Sequence, residues 1–102
     1  MDSNSNVKKE ERNTFYTPED LKSLSQRLNR IEGQIGGIRR MLERNAYCPD
    51  VLVQVSAAIS ALGSFSKLMV QNHLTQTVIP DFNDGKTESV EEFAAILQRL
   101  IK

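Results

Sequence analysis

The sequence has little of what most protein chemistry is built from. Its 102 residues include one cysteine, Cys48, and one histidine, His73. A single cysteine excludes an intrachain disulfide and any zinc site of paired cysteines, and it fits a reducing cytoplasm. There is no Gly-rich phosphate loop, and no serine or cysteine stands with a histidine and an aspartate at a catalytic spacing. An enzyme is therefore not expected. Charge of one sign is missing too, since 13 basic and 13 acidic residues cancel. No apolar run approaches the roughly 18–20 residues of a membrane span. The polar residues 1–13 carry no signal-peptide pattern. The expectation is a cytoplasmic protein with no membrane partner. Strand alternation, internal repeats and low-complexity segments are absent as well.

What is present is charge segregation and helical periodicity. Residues 21–45 carry Lys22, Arg27, Arg30, Arg39, Arg40 and Arg44 against only Glu32 and Glu43. The first 20 residues and the segment after Val78 are each net acidic. A neutral total thus hides one basic helix. Residues 1–16 lack apolar periodicity and read as a disordered N-terminal tail. Residues 17–102 read as one helical domain.

Thr17-Pro18-Glu19-Asp20 is a helix start, with Thr17 as cap and Pro18 at the first helical position. Leu21, Leu24, Leu28, Ile31, Ile35, Ile38 and Leu42 then alternate spacings of three and four, the seam of a helix packed along another helix. Gly33, Gly36 and Gly37 weaken this helix locally or permit a close helix approach. Asn45 is placed to cap its end. A second helix is predicted from Pro49, with Cys48 next to its N-cap. Its stripe is Leu52, Val55, Ile59, Leu62, Ser66, Met69 and His73, and Pro80 is expected to end it after about 28 residues, roughly 42 Å. Asp81-Phe82-Asn83-Asp84-Gly85 reads as a loop. A third helix is predicted from Ser89, where Ser89-Val90-Glu91-Glu92 forms a capping-box pattern. Its apolar face is Val90, Phe93, Leu97, Leu100 and Ile101. The fold expected is all-α, a three-helix protomer. Such a protomer cannot bury all its apolar faces alone, and an antiparallel helical dimer would cover them.

Cys48 and His73 are the candidates for chemistry. The 25 positions between them amount to roughly 37 Å along a straight helix, so they cannot meet within one chain. In an antiparallel dimer, Cys48 of one chain lies beside His73 of the other, and two-fold symmetry uses the site twice. The positive end of a helix dipole favours the thiolate, the form that ligates metals and attacks electrophiles. The plainer alternative is a buried cysteine and a hydrogen-bonded core histidine. Arg27, Arg30 and Gln34 share one face of the first helix and can grip phosphates, with Arg39, Arg40 and Arg44 extending the patch. The plainer alternative there is a solvated face. No recognition-helix motif is present, which favours readout of groove shape as much as of bases.

Arg27-Leu28-Asn29-Arg30-Ile31-Glu32-Gly33-Gln34-Ile35-Gly36-Gly37-Ile38 resembles the first-helix signature of the CsoR/RcnR/FrmR repressors. Tyr47-Cys48 followed by Asp50-Val51-Leu52-Val53-Gln54-Val55-Ser56-Ala57 resembles the start of their second helix, and Asn72-His73-Leu74 falls at the family's histidine. The resemblance spans residues 17–102. It implies an antiparallel dimer assembling into a tetramer, and binding to double-stranded operator DNA that is released by an inducer. It maps DNA contacts onto Arg27 and Arg30, and the inducer site onto Cys48 and His73 across the dimer. Tyr47 matches a tyrosine lying behind the copper sensors' ligands. Glu92, with Glu91 as rival, matches a glutamate there. The copper sensors of the family carry a second cysteine where this chain has Thr77, a poor Cu(I) ligand. The nickel and cobalt sensors use further histidines, one near the N-terminus, where this chain has Phe15 and Tyr16. The formaldehyde sensors keep the cysteine and histidine alone, as here, and Thr17-Pro18-Glu19 resembles the start of their first helix. Their cysteine cross-links to an N-terminal proline amine, however, and this chain runs past that point.

The reading favoured by sequence is a repressor released from its operator when a formaldehyde-type electrophile acts at Cys48, with no cofactor required. One alternative is a metal sensor of the same fold, with Cu(I) or another thiophilic ion at Cys48 and His73. The other is a helical interaction module that binds no DNA.

Overall fold

The computed structural model describes residues 12–101. No strand is present among them. Helix α1 spans Pro18–Glu43. Thr17 is extended, and its Oγ1 accepts a hydrogen bond from the backbone N–H of Asp20 at 3.0 Å. That bond satisfies one of the orphan donors of the first turn, and Glu19 and Asp20 sit at the positive end of the helix dipole. The helix stops at Asn45, which takes a left-handed φ of 57°. Its N–H donates to the carbonyl of Leu42 and that of Ala46 to Met41, the paired bonds of a Schellman stop.

Residues 44–47 reverse the chain into α2, Cys48–His73, which runs antiparallel along α1. Tyr47 is the extended cap and Pro49 lies in the first turn. The interface buries Ile31 from α1 and Val51 and Ala58 from α2, flanked by half-buried Leu24, Ile38, Val55 and Phe65. The apolar stripe of α1 is therefore divided. Leu24, Ile31 and Ile38 face α2, whereas Leu21, Leu28, Ile35 and Leu42 remain 54%, 40%, 45% and 63% exposed. The seven residues form two parallel rows of period seven, and one neighbouring helix covers one row. On α2, Leu52, Ile59 and Leu62 are likewise exposed. Among the described residues no side chain is wholly buried.

Pro80 does not end the second helix. After His73 the chain makes a π-helical turn, Leu74–Val78, and continues as α3, Ile79–Asn83. The N–H of Ile79 donates to the carbonyl of Leu74, five residues back. A proline inside an α-helix clashes with the carbonyl four residues earlier and leaves it unbonded. The wider turn ahead of Pro80 relieves that conflict. The expected loop at 81–85 is helical through Asn83. The stop comes at Gly85, φ 80°, where Gly85 and Lys86 donate to Phe82 and Asp81 in the same bond pattern as at Asn45.

The continuous run Cys48–Asn83 is, by length and composition alone, long and apolar enough to cross a membrane. That corrects the expectation of no such run. Small polar residues (Ser56, Ser60, Ser64 and Ser66) interrupt it without lowering its average far, and its outward apolar side chains suit a helix partner equally well.

Helix α4, Glu88–Leu100, folds back onto the π-turn and α3. Its cap is Thr87, without a side-chain bond. The capping box expected at Ser89 does not form, because Ser89 lies inside the first turn and is 8% exposed. Val90, Phe93 and Leu97 are half-buried, whereas Leu100 and Ile101 stay exposed. Of the tail, residues 1–11 lie outside the described residues. Residues 12–16 have no regular secondary structure, yet Arg12 reaches α4.

Candidate functional site

Cys48 and His73 occupy the first and last positions of α2, as far apart as a straight 26-residue helix holds its ends. Cys48 is exposed. Among the described residues, no three His, Cys, Asp or Glu side chains lie close enough to hold a metal ion. Tyr47 stands at the Cys48 end, well exposed. One protomer thus presents two half-sites.

The His73 half is the more elaborate. The imidazole is half-buried and tilted against Phe93, with ring centroids 6.1 Å apart and planes at 44°. It lines a polar cavity of about 410 Å³ together with Arg12, Thr77, Asp81, Ser89 and Glu92. It also lines a mainly apolar cavity of about 300 Å³, walled by Tyr16, Met69, Phe93 and Leu100 among others. Arg12 Nη2 donates to Glu92 Oε2 at 2.7 Å, and its Nη1 lies 3.7 Å from Glu88 Oε2. That hydrogen bond, then the charges of Glu92 and Glu88, raise the pKa of the guanidinium above its ordinary value. Glu92 lines this cavity, whereas Glu91 is exposed on α4. Glu92 thus shares a cavity with His73, and Glu91 is not among its lining residues.

Arg12, Asp81 and Ser89 were not expected here. Asp81 lies eight residues after His73 and four after Thr77, a helical spacing concealed by reading Pro80 as a helix end. The sequence pattern makes Ser89 a cap, but its Oγ is buried without a hydrogen-bond partner. Arg12 lies in a segment with no periodicity, so no local signal marks it.

Arg27, Arg30 and Gln34 line a second groove, about 350 Å³, with Ile31 of α1 and Ala61 and Ser64 of α2. Arg30 is exposed and Arg27 half-buried, and Gln34 Oε1 is buried without a partner. Arg39, Arg40 and Arg44 continue along the exposed end of α1. The glycines here admit no second helix within the protomer. A Cβ at Gly36 or Gly37 would meet only the Arg40 guanidinium, at 3.4 and 3.8 Å, and one at Gly33 would meet nothing.

The family model of metal-sensitive transcriptional repressors matches residues 20–99. The copper-sensing repressor RicR of Mycobacterium tuberculosis is 38% identical over 81 residues, which is 76% of this chain and 84% of that protein. The copper-sensing repressor CsoR of Bacillus subtilis is 32% identical over 80 residues, 78% of this chain and 79% of its own. Among solved structures, Cu(I)-bound CsoR from Geobacillus thermodenitrificans superposes with a TM-score of 0.82 at 33% identity, covering 87% of this chain and 94% of that one. The nickel-responsive regulator InrS gives 0.70 at 32% identity, covering 86% and 100%. These relatives sense metals, so the expectation of a formaldehyde-type electrophile gives way to the metal-sensing alternative. With the family model covering nearly all of the helical region and relatives alike in both sequence and fold, this chain belongs to the metal-sensitive transcriptional repressors and is not an enzyme.

Proposed function

We propose that this chain is a cytoplasmic Cu(I)-responsive repressor whose sensing site is assembled between two protomers, from Cys48 of one and His73 of the other. The observation that carries this reading is the separation of the two residues to opposite ends of one helix, with no three potential ligands converging within the described chain. A second copy running antiparallel along the exposed rows Leu21, Leu28, Ile35, Leu42 and Leu52, Ile59 brings each Cys48 to a His73. Those rows need such a cover, because a protomer of this size encloses little core by itself. Two such dimers form the tetramer expected from the resemblance.

Thiolate and imidazole are soft and borderline donors and suit Cu(I), which also accepts low coordination numbers. Thr77 adds a hydroxyl in place of a third strong ligand. Tyr47 arrives with the partner's Cys48, next to Glu92. Joining the two protomers at this point biases the dimer toward one of two arrangements. The arginine faces, Arg27, Arg30 and Gln34 with Arg39, Arg40 and Arg44, match operator phosphates in the metal-free arrangement and lose that spacing in the other. The names of the copper-sensing relatives support the choice of metal.

The test is anaerobic Cu(I) titration against a chromophoric chelator, alongside operator binding. Wild type should bind one Cu(I) per protomer and release DNA. Cys48→Ala and His73→Ala should each bind DNA normally, lose tight Cu(I) binding and fail to release. Unchanged Cu(I) affinity in both variants would refute the site.

A further inference from the structure

Arg12 and Glu92, which line the His73 cavity, form an ion pair. Glu88 and Glu92 lie four residues apart on α4, where like charges face each other and repel. Arg12 bridges both from the N-terminal segment, at 3.7 and 2.7 Å. The cavity beneath it holds His73, Thr77 and Asp81, with the unpartnered Ser89 Oγ in its wall. A guanidinium has five donors and no lone pair. It therefore cannot ligate a metal ion. It can only compete with one for a carboxylate.

We propose that Arg12 is a specificity-determining residue: its guanidinium occupies the Glu92 carboxylate and so penalises any cation that needs that oxygen, while leaving Cu(I) untouched. This rests on the reading of the His73 cavity as part of the effector site. Cu(I) takes sulfur and nitrogen and has little use for a carboxylate. Zn(II), by contrast, readily completes a Cys and His set with a carboxylate oxygen. To do so here it must displace Arg12. The Arg12 side chain is 62% exposed and that of Glu92 39%, and pairs this accessible to water hold a competitor back by up to about fivefold. The gate is thus weak, and it is directed at the ions that the soft half-site discriminates against least.

The experiment is chelator competition on the full-length reduced protein with Zn(II) and Cu(I) separately, in wild type, Arg12→Ala, Arg12→Lys, Glu92→Gln and the Arg12→Ala/Glu92→Gln pair. Arg12→Ala should raise Zn(II) affinity about three- to fivefold and leave Cu(I) affinity within about twofold. Arg12→Lys, which keeps the charge, should behave as wild type. In the Glu92→Gln background, Arg12→Ala should change nothing. An unchanged Zn(II) affinity in Arg12→Ala overturns the proposal. So does an equal rise for both metals, or a rise that persists without the Glu92 carboxylate. Cys48→Ala and His73→Ala run alongside. Retained Cu(I) affinity in both refutes the effector site itself, an outcome distinct from failure of the Arg12–Glu92 coupling.

Discussion

Mixing two inactive variants should restore function. Cys48→Ala and His73→Ala each remove one half of every intersubunit site, so neither homodimer holds an intact pair. A mixed dimer is different. The His73→Ala protomer still offers Cys48, and the Cys48→Ala protomer still offers His73. At one end of the mixed dimer these meet, and at the other end both ligands are missing. Equal amounts that pair at random give half mixed dimers, each with one good site in two. About a quarter of all sites should therefore bind Cu(I) tightly. If Cys48 and His73 acted within one chain the recovered fraction would be zero. The ends of α2 are held roughly 37 Å apart by a helix of 26 residues, and no local rearrangement closes that gap. The assay is Cu(I) titration against a chelator, after the two variants are unfolded and refolded together to allow exchange, with each variant refolded alone as control. Recovery near a quarter supports the shared site. No recovery in a mixture shown to contain mixed dimers, for instance by tagging one partner, refutes it.

Three further outcomes follow from the fold. Thr17→Ala removes the hydroxyl that accepts from Asp20 and should lower stability by about 1 kcal/mol, read by urea denaturation, whereas Thr17→Ser should restore most of it. Ile35→Glu and Leu28→Glu place a carboxylate on the exposed row of α1 and should break the assembly into smaller species in sedimentation velocity. An unchanged sedimentation coefficient in both would locate the interface elsewhere. Arg27→Ala and Arg30→Ala should weaken operator binding and each reduce the slope of log affinity against log salt by about 1. An unaltered slope would remove them from the phosphate contacts.

The features that were readable in advance are local ones. Thr17 caps its helix because a hydroxyl three residues before a free N–H needs no tertiary help. Asn45 stops its helix because few other residues accept a left-handed φ. The separation of Cys48 from His73 follows from helical rise alone. Where local rules met a longer-range choice, they failed. Pro80 breaks an α-helix, yet the chain accommodates it by widening the turn before it and packs α4 against that turn. Ser89 carries a capping signature, but packing draws the helix start back to Glu88 and buries the hydroxyl.

Periodicity established that α1 and α2 are amphipathic helices and that one chain cannot unite its single thiol and its single imidazole, because the rise per residue is a covalent and hydrogen-bonding constant. It did not establish which of two equivalent apolar rows turns inward. Leu24, Ile31 and Ile38 are chemically indistinguishable from Leu21, Leu28, Ile35 and Leu42, and only the crossing of α1 with α2 separates them. Nor did any local pattern join Arg12 to Glu92, 80 residues away. A charge pair carries no sequence period, so its two ends find each other only once α4 has folded back across the end of α2.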